Sequence, residues 1–128
     1  MAEATVWTVN KILNWTQQYF RGKGVDNPRL DAEILLCDIL GCRRLDLFLR
    51  LQEDLDQSVL DRYHEVVVRR ARREPVAYIL GRKAFLKWDF KVTPDVLIPR
   101  PETEELVEVM LREIPSDARI LDIGTGSG

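Results

Sequence analysis

Apolar residues recur at spacings of three and four through residues 5–21, where Val6, Val9, Ile12, Leu13, Thr16 and Phe20 fall on one face. That period predicts an amphipathic helix, which Gly22 and Gly24 stop. Trp7 and Trp15 add bulk and read as core or helix-contact residues. A second helix starts at Asn27-Pro28, a capping residue followed by a proline whose missing N–H costs nothing at the first helical position. Its stripe of Leu30, Ile34 and Cys37 widens through Leu35 and Ile39 until Gly41. A short apolar helix, Leu45–Leu51, follows. Asp54 or Asp56 caps a third long helix over 57–73, with Leu60, Tyr63, Val66 and Val67 facing inward. Pro75 opens a short helical turn, Val76–Leu80, that Gly81 closes.

The pattern changes at Gly81. Lys83–Leu86 and Asp89–Val92 alternate as two short strands around a Lys87-Trp88 turn, a hairpin. Pro94, Pro99 and Pro101 stiffen the next stretch, with a possible strand at Val96-Leu97-Ile98. A helix begins near Pro101-Glu102-Thr103, its positive end crowded by Glu102, Glu104 and Glu105, and Leu106, Val107, Met110 and Leu111 form its apolar face. Pro115-Ser116-Asp117 breaks it, and Arg119–Ile123 reads as a strand entering Gly124-Thr125-Gly126-Ser127-Gly128. The predicted fold is therefore mainly α. Residues 1–81 form a helical bundle, 82–98 a β-hairpin and extended linker, and 99–128 the start of an α/β domain.

Composition narrows the functional classes. With 45% hydrophobic and 31% charged residues in 128, the chain is globular and no stretch is apolar enough to span a membrane. Met1–Thr5 lacks the basic start and apolar run of a secretion signal. The net charge of −2 is not that of a nucleic-acid binder. Cys37 and Cys42 make no CxxC pair and read as reduced thiols of a cytoplasmic protein, with no metal cluster in view. Charge is uneven, however. Residues 62–83 hold seven basic and two acidic side chains, Arg69, Arg70, Arg72 and Arg73 among them. These suit either a solvated helix end or a patch for an anionic partner, RNA or acidic protein.

Two segments carry chemistry. An apolar strand entering a glycine-rich turn, Ile120–Gly128, is how a doubly wound α/β domain brings its backbone against a nucleotide-like ligand. Asp122 stands where its carboxylate accepts hydrogen bonds from a loop N–H or a ligand amine, or simply caps the turn. In Ile98-Pro99-Arg100-Pro101-Glu102-Thr103-Glu104, two prolines fix the backbone of an arginine. That suits a positioned contact as well as a proline-initiated helix with a solvated Arg100.

Four blocks together resemble the HemK/PrmC family of protein-(glutamine-N5) methyltransferases: Glu74–Gly81, the hairpin with Phe85 and Phe90-Lys91-Val92, Val96–Glu104, and Ile120–Gly128. The resemblance spans the chain, strongly from residue 74 onward. It implies a helical substrate-recognition domain, a hairpin linker and a Rossmann-like domain that uses S-adenosyl-L-methionine. It also implies a substrate, the glutamine amide of the GGQ motif in class I peptide-chain release factors. Asp122, Gly124, Thr125, Gly126, Ser127 and Gly128 match the family's first methyltransferase motif, and Arg100, Pro101, Glu102 and Thr103 a motif beside the cofactor cleft.

The family's Asn-Pro-Pro-Tyr motif, which grips the glutamine amide, does not occur in these 128 residues. The chain is therefore expected to be the amino-terminal, recognising portion of such an enzyme, inactive alone and at best a weak binder of the methyl donor. Arg69, Arg70, Arg72 and Arg73 are its candidate partner-binding residues. Residues 118–128, lacking strand partners, are expected to be mobile, docked on the helical domain, or paired with another copy. The rival expectation is a free-standing helical module that binds an acidic protein or RNA through the arginine-rich helix.

Overall fold

In the computed structural model, which describes residues 6–128, the first helix does not begin where apolar periodicity begins. Helix α1 spans Val9–Gly22. Thr8 caps it, its side chain accepting from Lys11 N at 3.2 Å. Val9 N and Asn10 N, donors that no helical carbonyl can satisfy, reach Glu53 O at 3.0 Å and Leu51 O at 2.9 Å. The arm before α1 is thereby tied to residues 51–55, with Leu55 N donating to Trp7 O at 2.8 Å. Val6 lies before the helix and is exposed, while Val9, Ile12, Thr16 and Phe20 are buried as expected. The expected start at Thr5 lies outside the described residues.

Helix α2 (Pro28–Leu40) has Asn27 at the cap position without a side-chain cap bond, and ends at Gly41 in the left-handed region. It is the central helix, contacting α1, α3 (Arg44–Phe48) and α4 (Gln57–Ala71). That position explains why it is buried nearly all round, at Asp31, Ala32, Glu33, Leu35, Leu36 and Cys37. Leu30, expected on its inner stripe, is exposed instead, because it sits on the first turn where nothing covers it.

Three polar ties radiate from α2. Tyr63 of α4 donates its hydroxyl to Ala32 O at 2.9 Å. Arg70 of α4 donates to Asp31 at 2.8 Å, and Arg44 of α3 to Glu33 at 2.7 Å. Arg29 also donates to Glu33, at 3.1 Å. Glu33 is only 3% exposed, so its carboxylate needs this double pairing to be tolerated inside. Helix α4 is capped by Asp56, which accepts from Val59 N at 3.0 Å, as expected. It stops at Ala71 rather than residue 73, because Arg73 takes a positive φ of 70°. The short α5 spans Val76–Leu80.

The described chain divides into two compact units, at Ile79/Leu80. In the second, β1 (Arg82–Phe85) and β2 (Trp88–Lys91) form an antiparallel hairpin in which Phe85 pairs with Trp88. The turn is therefore Leu86-Lys87, one residue earlier than expected, with Leu86 at φ 53°. Helix α6 spans Pro101–Glu113 and buries none of its residues fully.

Two expected strands are absent. Val96–Ile98 and Arg119–Ile123 are irregular and lie in no sheet among the described residues. A strand exists only through a neighbour's backbone, and the hairpin is the only sheet among the described residues. Ile120, Leu121 and Ile123 stay 63%, 83% and 85% exposed, the unpaired apolar surface that the sequence led one to expect.

Candidate functional site

The second unit holds a cavity of about 280 Å³ built from three of its segments. The hairpin supplies an aromatic floor: Phe85 and Phe90 stack with ring centroids 5.2 Å apart and planes 21° from parallel. Alternation along β1 and β2 puts these rings on one face of the ribbon. Leu97, Ile98 and Pro99 form one wall. Pro99 and Pro101 flank Arg100, which holds extended angles (φ −100°, ψ 149°) as the N-cap of α6. Arg100, Thr103 and Val107, spaced three and four apart, then share the helix face that lines the cavity. Asp122 and Gly124, Thr125, Gly126, Ser127 and Gly128 close the other side.

The glycine loop has a specific backbone. Gly124, Gly126 and Gly128 take φ values of 74°, 64° and 107°, alternating with Thr125 and Ser127. A side chain at any of the three would meet no atom within 4 Å. Glycine is needed here for the left-handed angles, not for want of space, and an L side chain there costs roughly 1–2 kcal/mol. Such alternation turns successive N–H groups toward one concave side, a shape that receives anionic oxygens. The loop closes through Gly128 N donating to Thr125 O at 3.2 Å.

The lining carries one formal cation, Arg100, and one formal anion, Asp122, over an otherwise apolar floor. That donor set suits a zwitterion with a short apolar body, such as the amino-acid end of S-adenosyl-L-methionine. The volume lies just below the range of ligand pockets, roughly 300–1,000 Å³, so it fits a portion of such a ligand.

Of the residues that the sequence singled out near the cleft, Pro101 and Glu102 do not line the cavity and are exposed on the outer side of the helix start. Phe85, Phe90, Leu97, Ile98 and Val107, which the sequence places in the hairpin, the extended stretch and the helix face but not at the cleft, also line the cavity.

The four arginines differ in what they do. Arg69 makes a two-pronged pair with Glu74 at 2.8 and 2.6 Å, and holds the Glu74 carboxyl below its ordinary range. Arg70 is tied to Asp31 and to Glu74 O, the latter at 3.2 Å. Arg73 reaches Lys23 O at 3.5 Å. Arg72, the C-cap of α4, is exposed. Among the described residues no group of His, Cys, Asp and Glu gathers as a metal site, and no helix is long and apolar enough to cross a membrane.

The helical unit also carries a groove of about 600 Å³ between α1 and α4. Trp7, Trp15, Leu60 and Tyr63 give it an apolar lining, with Asp61 and His64 at its polar part. Trp15 is 46% exposed and stacks on Tyr19 of the same helix at 5.1 Å, so of the two readings, core or helix contact, it is the second.

Comparison with known proteins agrees with this architecture. Residues 11–81 match the model of the PrmC N-terminal domain. The chain is 48% identical over 123 residues to the release factor glutamine methyltransferase of Geobacter sulfurreducens, covering 96% of the chain and 43% of that relative. It is 45% identical over 122 residues to the protein of the same name from Nitratidesulfovibrio vulgaris, covering 94% and 41%. With that of Coxiella burnetii it shares 53% identity over 103 residues, covering 79% and 37%. The chain thus spans less than half the length of these relatives. The matched model covers more than half of the chain and includes every helix of the bundle except the first two residues of α1, and on that ground the chain belongs to the PrmC N-terminal domain family.

Proposed function

We propose that this chain is the release-factor-recognising portion of an S-adenosyl-L-methionine-dependent methyltransferase that modifies the GGQ glutamine of class I peptide-chain release factors. The observation that carries the reading is the single cavity shared by Arg100, Thr103, Asp122 and the Gly124–Gly128 loop, two sequence motifs nearly twenty residues apart. S-adenosyl-L-methionine, when bound, supplies an electrophilic methyl group. On this side of the reaction the chain's own residues hold and orient. Arg100 would pair with the methyl donor's carboxylate, Asp122 would accept from its ammonium, and the loop amides would donate to the carboxylate oxygens.

A glutamine amide nitrogen is a poor nucleophile, because its lone pair is delocalised into the carbonyl. Its methylation needs acceptors that orient both amide hydrogens. No Asn-Pro-Pro-Tyr motif is present to provide them, so the chain by itself binds its client without modifying it. Client contact falls to the helical unit. There the outward arginine Arg72 and the exposed Trp15 beside the α1/α4 groove offer charged and apolar anchors.

Titration calorimetry of the chain with a bacterial class I release factor tests this. Saturable one-to-one binding is expected. No heat and no co-elution on a sizing column would overturn it. The rival reading, RNA or an acidic protein on an arginine patch, is weakened by the internal pairing of Arg69 and Arg70. RNA binding that falls steeply with salt would revive it.

A further inference from the structure

The two cysteines occupy a place in the fold that the function above leaves unused. Gly41, at φ 68°, ends α2 in the left-handed region, and the chain folds back so that Cys42 N donates to Cys37 O at 3.1 Å. This is the six-to-one bond of a Schellman turn, in which the residues at its two ends bring their side chains together. Here both of those residues are cysteines. The bond limits their α-carbons to a separation of about 7 Å even if all the linking atoms were collinear, and disulfides span roughly 4.4–6.8 Å.

The pair is asymmetric. Cys37 is buried, whereas Cys42 is half-exposed and accessible. Burial, then the neighbouring Cys42 thiol, pushes Cys37 up to about 12, so it is a neutral thiol. Arg50, held in place by Glu53 at 2.7 and 2.6 Å, is a charge that acts on Cys42. Beside a permanent positive charge, a site for a second cation is disfavoured, which argues against metal binding and for oxidation chemistry.

We propose that Cys37 and Cys42 form a peroxide-reactive dithiol, in which Cys42 is the attacking and Cys37 the resolving sulfur. The Cys42 thiolate attacks one oxygen of a hydroperoxide. The O–O bond breaks, an S–O bond forms, and the leaving hydroxide or alkoxide takes up a proton, which leaves Cys42 as a sulfenic acid. The Cys37 sulfur, giving up its proton, then attacks the Cys42 sulfur. The S–S bond forms as the S–O bond breaks, and the departing hydroxide leaves as water. Overall, two thiols are oxidised and one hydroperoxide is reduced to water and water or an alcohol.

The test is intact-mass and peptide mapping of the full chain treated with equimolar hydrogen peroxide. The expected result is a loss of two hydrogens, reversed by dithiothreitol, with a Cys37–Cys42 cross-link in the map. In Cys37→Ser the reaction should stop at a trappable sulfenic acid on Cys42. Oxidation without loss of two hydrogens, cross-links only between chains, or a trapped adduct on Cys37 in Cys42→Ser at the rate seen for Cys42 would overturn the assignment. Should Cys37→Ser fail to fold, the unsubstituted chain's own cross-link map still decides.

Discussion

Tyr63 and Thr16 face each other across the α1/α4 packing with opposite debts, and exchanging each for its nearest apolar analogue should move stability in opposite directions. The Tyr63 ring is 1% exposed, and its hydroxyl donates to Ala32 O at 2.9 Å. Burial pushes this phenol well above its ordinary range, so it is a donor near neutral pH. Tyr63→Phe keeps the packing and deletes the donor. Ala32 O lies within helix α2 and retains its helical partner, so the loss is the net value of one hydrogen bond, about 1 kcal/mol. Thr16 is fully buried and its hydroxyl has no hydrogen-bond partner, although it lies near the same phenol. Thr16→Val preserves the β-branched shape and removes an unpaid desolvation of about 1–2 kcal/mol.

For a helical unit of this size each kcal/mol shifts the melting temperature by about 4–8 °C. Tyr63→Phe should therefore melt several degrees lower and Thr16→Val several degrees higher, in urea and thermal unfolding followed by circular dichroism. Because the two sites are neighbours, the double variant should deviate from additivity. Equal stability of Tyr63→Phe and the unsubstituted chain, or a loss in Thr16→Val, would refute the reasoning.

Three further outcomes follow from the structure. Gly41→Ala places a side chain at φ 68°, where no atom crowds it but the angle is strained, and should cost about 1 kcal/mol by denaturant titration, with Gly41→Asn costing less. Asp46, Glu53, Asp56 and Glu74 are all held below their ordinary carboxyl range, the first by Arg43, the second by Arg50, the third by Ser58 and the fourth by Arg69. Such groups add stability above their unfolded values near pH 4, and that stability is lost as pH falls through the lower folded values, so melting temperature should be flat near pH 7 and decline below about pH 4. Gly126→Val, forced into φ 64°, should abolish whatever S-adenosyl-L-methionine binding equilibrium dialysis detects for the unsubstituted chain, while leaving the melting of the helical unit unchanged.

What the sequence revealed was whatever is decided locally. The Asp56 cap, Pro28 at the start of α2, Gly41 at its end and the hairpin after Gly81 each depend on a few consecutive residues, and each lies where the pattern put it to within a residue. Long-range pairing was not legible. Arg119–Ile123 has the composition of a strand, yet a strand's hydrogen bonds come from elsewhere in a sheet, and no neighbour is paired with it here. Nothing in the local sequence marks Glu33 as buried, and only the folded chain shows Arg29 and Arg44 closing over it.

In one dimension the arginine run reads as a solvated helix end or a basic patch, but Asp31, from 39 residues away, claims Arg70. The site was half visible. Motif residues Arg100, Thr103, Asp122 and the glycine loop share a cavity, while its aromatic floor came from a diagonal pair across the hairpin that spacing alone does not reveal.

The most direct test of the account incubates the purified chain with a class I release factor and methyl-labelled S-adenosyl-L-methionine, and counts label on the release factor after co-elution. The expected result is a stable complex carrying no transferred label. Labelled glutamine in the GGQ motif, or no complex at all, would contradict the account.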